Sequence, residues 1–230
     1  MKIVVISDTH NRKIEVPDGD LLIHCGDATG RGSEDEIIEF NDWIKTLPHK
    51  HKIYVPGNHD KLGERDEKLF RKLLPSMTVL INEEIIINGV KIYGSPYTPT
   101  FFKWAFMKNR GAEMKANWDK IPLDTDILVT HGPPHGFLDI ADEWVTFDHT
   151  FKHLPEDQWV PRKVRTQVHV GCEELYQAIL RIKPKYHLFG HIHGGYGRVT
   201  MGETTLINAA ICTEAYDPDN NPVIINYSKK

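Results

Sequence analysis

A mixed-sheet α/β fold is predicted by two patterns in the 230-residue sequence. Short apolar runs, too brief for helices and rich in β-branched residues, alternate with stretches whose apolar residues recur at helical spacing. An Asn88-Gly89 pair flanked by such runs adds a tight hairpin, which makes the sheet mixed rather than purely parallel. A chain of this length buries a substantial core and no low-complexity linker interrupts it, so a single domain over 1–230 is expected.

Lys2-Ile3-Val4-Val5-Ile6 is the first strand, stopped by Ser7-Asp8-Thr9-His10. Leu21 to Cys25 is the second, ended by Gly26-Asp27. Ser33 followed by Glu36 is a capping-box pattern, and Ile37, Ile38, Phe40, Ile44 and Leu47 extend it into a helix over 34–47. Lys52 to Val55 is the third strand, broken by Pro56-Gly57 before Asn58-His59-Asp60. Leu69, Phe70, Leu73 and Leu74 predict a helix over 64–74 that Pro75 ends. Strands follow at 79–81, 85–87 and 90–93.

The Pro- and aromatic-rich stretch 95–120, with Phe101, Trp104 and Phe106, reads as aromatic packing beneath a long connection, with a substrate-facing wall as the alternative. A short helix is expected there near 110–118. Asp126 to Val129 is a strand that runs into Thr130-His131-Gly132. Clean periodicity is lost over 139–169, yet Trp144, Phe147, His149, Phe151, His153, Trp159, Arg162, Lys163 and Arg165 gather there. Such aromatic content predicts an ordered loop or lid near the site. A helix over 172–182 ends before Pro184, and the strand Tyr186 to Phe189 opens into Gly190-His191-Ile192-His193. A hairpin over 199–207 and a strand at 223–225 follow.

The formal net charge of −4 gives no global reason to expect nucleic-acid or membrane-surface binding. No stretch approaches the roughly 20 apolar residues needed to span a bilayer, and a signal-peptide pattern is absent at the N-terminus, so a cytoplasmic protein is expected. Cys25, Cys172 and Cys212, odd in number and scattered, read as reduced core thiols.

The histidines are distributed otherwise. Five of the thirteen fall directly after apolar strand-like runs. Five strand ends thus offer Asp8 with His10, Asp27, Asn58 with His59, His131, and His191 with His193. In an open α/β sheet such carboxyl ends line one crevice, where residues distant in sequence converge. This set exceeds what one tetrahedral zinc requires and suits two ions bridged by a shared carboxylate.

Asp8-x-His10, Gly26-Asp27, Gly57-Asn58-His59-Asp60, His131-Gly132 and Gly190-His191-x-His193, in this order, resemble the signature of the calcineurin-like metallophosphoesterases over residues 1 to about 197. Thr130 to Gly136, Val170 to Leu175, and Asn208 through Tyr216-Asp217-Pro218 to Val223 look like the small subgroup of brain metallophosphoesterase-domain proteins and related bacterial phosphodiesterases. The resemblance implies a four-layer α/β/β/α sandwich of two mixed sheets. It also implies that Asp8, His10 and His193 hold one metal, that Asn58, His131 and His191 hold the other, and that Asp27 bridges them. The cofactors expected are two divalent ions, manganese first, with iron, zinc or cobalt compatible with the same nitrogen and oxygen donors.

By this likeness the chain is expected to be a dimetal phosphodiesterase acting on a small phosphodiester or nucleotide. Hydroxide bridging the ions would attack phosphorus, while His59 assists the leaving group and Asp60 orients the other nitrogen of that imidazole. Arg31, four residues after Asp27, resembles a phosphate-binding arginine of the superfamily's protein phosphatases, and His135 is a further candidate substrate contact. The alternatives are a nuclease on single-stranded nucleic acid, for which Arg162, Lys163 and Arg165 would supply a basic track, and a non-catalytic binding scaffold.

Overall fold

The computed structural model describes residues 1–147 and 162–228, with the side chains of 143–147 and 162–164 outside that description. In chain order the elements are β1 (Lys2–Ile6), β2 (Leu21–His24), α1 (Glu34–Thr46), β3 (His51–Tyr54), α2 (Lys61–Arg65), α3 (Glu67–Leu73) and β4 (Thr78–Val79). There follow β5 (Glu83–Ile87), β6 (Val90–Ser95), β7 (Thr98–Pro99), β8 (Met107–Lys108), α4 (Ala112–Trp118), β9 (Ile127–Thr130), β10 (Ile140–Phe147) and β11 (Arg162–His169). The last are α5 (Glu173–Ile182), β12 (Tyr186–Phe189), β13 (Gly197–Met201), β14 (Thr204–Asn208) and β15 (Val223–Asn226).

Two mixed sheets carry the architecture. One has the order β15-β1-β2-β3-β4, parallel except for β15, which pairs antiparallel with β1. The other has the order β13-β14-β12-β9-β6-β5, parallel at its centre and closed on both sides by hairpins. The two-residue period of a strand assigns alternate side chains to different cores. In β1, Ile3 and Val5 join a core shared with Ile127, Val129, Leu188 and Ile207 of the second sheet, whereas Val4 and Ile6 face Ile37, Phe40, Ile44 and Phe70 of the helices. On the far side of the second sheet, Leu128, Phe189 and Leu206 pack on Trp118 and Ile179. Three cores between four layers make the α/β/β/α sandwich.

Local chemistry explains the element ends. The Ser33 side chain accepts from the Glu36 backbone N–H and the Glu36 carboxylate accepts from Ser33, so the expected capping box starts α1. At Asn88-Gly89 both residues have positive φ, +51° and +77°, as a tight primed turn requires. The single helix expected over 64–74 is instead two, α2 and α3. Asp66 breaks it with φ −149°, and its carboxylate caps the new helix through the Leu69 N–H.

The loop expected over 139–169 is also corrected. Its flanks form an antiparallel ribbon, β10 on β11, in register from Ile140 opposite His169 to Phe147 opposite Arg162. Arg165 there is paired with Asp142 at 2.8 Å. The expected roles of Trp144, Phe147, His149, Phe151, His153, Trp159, Arg162 and Lys163 lie outside the described residues or side chains. No described helix is long and apolar enough to cross a membrane.

His187 shows what the layered core does to a titratable group. It is fully buried in β12 with its Nε2 2.8 Å from the Thr130 hydroxyl, and burial lowers its pKa from 6.5 to about 3. Below pH 6.5 the unfolded chain takes up this proton and the folded chain does not, so stability is lost as pH falls. From pH 7 to 5 the loss is expected to be about 2 kcal/mol. Urea unfolding at both values measures it, and in His187→Gln the pH-dependent drop should shrink by that amount.

Candidate metal centre

The carboxyl ends of β1, β2, β3, β9 and β12 deliver the candidate ligands to one place. Asp8 Oδ1 lies 3.4 Å from His193 Nε2 and 4.0 Å from His10 Nε2, and the two imidazole nitrogens are 3.2 Å apart. Beside this group, His131 Nε2 lies 3.0 Å from Asn58 Oδ1 and 3.3 Å from Asp27 Oδ2. Asp8, His10 and His193, and separately Asp27, His131 and His191, each offer ligand atoms within 4.8 Å of one another. His10, Asp27 and His59 form a third such group, which links the first two.

Backbone conformation and missing side chains make this crowding possible. Asp8, His10, Asp27 and His191 all have left-handed φ, between +42° and +69°, a strain of order 1–3 kcal/mol each that concentrates where side chains must be aimed. At Gly190 an added Cβ would sit 1.9 Å from Asp8 Oδ2, so only glycine lets the turn after β12 approach the first strand end. Asn208 supports the same turn, donating to the Ile192 carbonyl at 2.8 Å.

The ring nitrogens of His131 and His193 are committed in the same way. His131 Nδ1 is 2.9 Å from the Cys25 carbonyl and His193 Nδ1 is 2.8 Å from the Thr213 carbonyl. A carbonyl only accepts, so each Nδ1 keeps its hydrogen and each Nε2 lone pair is directed into the cluster, the tautomer a metal ligand needs. At His131 this leaves a lone pair, an amide oxygen and a carboxylate oxygen facing one point. Such an arrangement requires a proton or a cation between them.

The field favours a cation. Burial would push Asp8 up, but the His193 hydrogen bond and the charges of His131, His193 and His10 hold it far below the carboxylate range. Asp27 sits at about 2, since His131 and His59 outweigh burial. Burial alone would lower His131, yet Asp27 and Asp8 raise it to about 9, while burial and the nearby His131 charge lower His191 to about 3. Two carboxylates that stay ionised, hence negatively charged, while buried from water, with donors exclusively nitrogen and oxygen, fit a pair of divalent ions.

Asp60 requires a correction. His59 Nδ1 is held at 2.7 Å by the Gly30 carbonyl, so Asp60 does not orient that ring. The fully buried Asp60 carboxylate accepts instead from the backbone of Asp27, Thr29 and Gly57 and from the hydroxyls of Thr29 and Tyr54. It clamps the turn after β2 to the turn after β3. Burial and the Asp27 charge raise its pKa.

The two candidate substrate contacts are not gathered into the clusters. Arg31 is exposed, with its backbone N–H on the Glu36 carboxylate. His135 faces the ring of His169 at 5.4 Å, and His169 in turn is bonded to buried Asp139 at 2.7 Å.

Sequence reasoning offered the aromatic surround of 95–120 only as the alternative, and did not foresee Tyr216 beside the histidines. Tyr216 sets its ring 4.8 Å from His10 and 5.2 Å from His193, and Phe101 lies 5.3 Å from His191. Trp104 lies 4.4 Å from His59. Phe106 is core, as expected of that stretch, but Phe101 and Trp104 take the alternative role of a wall at the site. Their aromatic density was the available signal. For Tyr216 the available signal was its place in the Tyr216-Asp217-Pro218 motif.

A four-layer α/β sandwich whose sheet ends gather buried carboxylates and imidazoles in two linked groups defines the protein as a metallophosphoesterase. The chain belongs to the calcineurin-like phosphoesterase family, whose model matches residues 1–195. Metallophosphoesterase domain-containing protein 1 of Homo sapiens is 37% identical over 251 residues, covering 98% of this chain and 70% of that protein. A UPF0046 protein of Caenorhabditis elegans is 34% identical over 246 residues, covering 100% of this chain and 76% of the relative. A crystal structure with 19% identity and a TM-score of 0.58, covering 90% of this chain and 89% of that one, shares the fold.

Proposed function

We propose that the protein is a dimetal phosphodiesterase acting on small phosphodiesters. The observation that carries the reading is the pair of nitrogen and oxygen clusters joined through Asp27, with His59 Nε2 at 3.9 Å from the same carboxylate. Asp8, His10 and His193 would hold one ion, Asn58, His131 and His191 the other, and Asp27 both. When bound, two divalent ions, manganese being the first choice, would supply activation of water and neutralisation of phosphate charge.

The chain's own contribution centres on His59. Its Nδ1–H is committed to Gly30, so Nε2 is the nitrogen that gains and gives up the exchangeable proton. As the bond from phosphorus to the leaving alcohol breaks, the electron pair goes to the alcohol oxygen and the proton on His59 Nε2 neutralises it. Asp60 serves by fixing the two turns that carry Asp27, Asn58 and His59. Arg31 and His135 remain secondary candidates for substrate contact.

The test is a screen of aryl phosphodiesters and phosphomonoesters with protein loaded with manganese, cobalt or zinc. Hydrolysis of diesters in preference to monoesters is expected. Failure to turn over either class with every metal overturns the reading.

A further inference from the structure

Trp104 is held in a clip that the reading above does not use. His59 lies 4.4 Å from the indole at an interplanar angle of 32°, and Lys61 Nζ sits 4.6 Å over the ring. Two residues of one turn thus grip the same indole. The backbone secures it too, because the Ala105 N–H donates to the Asn58 carbonyl at 3.3 Å and the Phe106 N–H to Glu64 at 2.9 Å. Phe102 and Phe106, two residues to either side, have φ of +48° and +56°. Bulky residues avoid that conformation unless the surroundings impose it, and here the imposed strain aims the side chain between them.

His59 itself has few fixed contacts. Gly30 fixes its Nδ1, and His10 approaches edge-on at 4.8 Å. The broad face of the imidazole is covered by Trp104. Without the indole the ring keeps its hydrogen bond to Gly30 but can rotate about it, which moves Nε2 away from the side of Asp27.

We propose that Trp104 is a positioning residue for His59, packed against the imidazole so that Nε2 stays directed at the leaving-group side of the centre. This rests on the phosphodiesterase reading. A positioning error of about 1 Å costs on the order of a hundredfold where proton transfer matters. The loss should therefore depend on the leaving group: it is largest for an alkyl or phenyl diester and small for a 4-nitrophenyl diester, whose leaving oxygen needs little help.

The experiment compares Trp104→Ala, Trp104→Phe, His59→Ala and the double variant Trp104→Ala/His59→Ala, with His59 Hε1 followed by NMR in each folded protein that retains the imidazole. Trp104→Ala is expected to lower kcat about tenfold to a hundredfold for the poor leaving group with KM nearly unchanged. It should add nothing to His59→Ala, and Trp104→Phe should restore most of the rate. The His59 Hε1 resonance shifts in any case once the indole ring current is gone, so the reporting signal is its line width, which should broaden in Trp104→Ala. A loss expressed in KM, or one that multiplies with that of His59→Ala, would make Trp104 a direct substrate contact and overturn the proposal. So would an Hε1 line as narrow as that of the parent protein. Absence of activity in the wild-type protein defeats the phosphodiesterase reading alone, because the resonance still reports whether Trp104 fixes the ring.

Discussion

His59→Ala is expected to lower kcat by about 10²–10⁴-fold toward a diester with a poor leaving group, the range removed with a general acid, while metal per chain stays unchanged. His59 Nε2 is 3.9 Å from Asp27 Oδ2, farther than the 3.3 Å of His131. Its side chain also retains 14% exposure where that of His131 has none, which leaves it the more accessible of the two rings. Steady-state kinetics together with elemental analysis of the purified variant check both halves. Loss of metal would make His59 a ligand, the role its group with His10 and Asp27 permits.

Gly190→Ala is the second large effect. The new methyl would lie 1.9 Å from Asp8 Oδ2 and 2.1 Å from Ser7 Oγ, neither of which has room to retreat in a fully buried strand end. Asp8 also accepts the His191 N–H, at 2.9 and 3.1 Å to its two oxygens, so moving it disturbs both ligand groups. Overpacking of this kind costs about 1–3 kcal/mol, and the metal content should fall below that of the parent protein. Urea unfolding and elemental analysis measure the two effects. Gly202→Ala is the control: its φ of +58° makes alanine uncomfortable, but no atom lies within 4 Å, so metal content should hold.

The fold was legible where one physical rule dominated. Buried strands such as β1 and β9 announce themselves because both faces are covered and nearly every side chain must be apolar. The turns after them were equally clear, since carboxylates and imidazoles after apolar runs have little reason to be there except chemistry. Helix 64–74 failed because apolar spacing says nothing about a side chain, that of Asp66, able to cap a second helix. The β10–β11 ribbon failed for a different reason. Among the described residues it pairs only with itself, so it carries a weaker hydrophobic pattern than a strand in a core.

Site orientation was less legible than site membership. Asp60 belongs to the neighbourhood that its sequence position suggested, but its partners, the backbone of Asp27, Thr29 and Gly57, are contacts that sequence spacing cannot reveal. The same holds for Gly30 at His59 and for Tyr216 at His10. Each depends on loops brought together by the sandwich.

The bond from the His191 amide to Asp8 spans 183 residues of chain, and β1 is flanked on one side by β15. During synthesis the first strand end therefore waits until residue 193 has been made before its ligand group can exist. Closing so long a loop is among the slow, late events of folding. An ion held by Asp8, His10 and His193 would therefore bind only after that loop has closed. Its occupancy would slow unfolding more than it speeds folding.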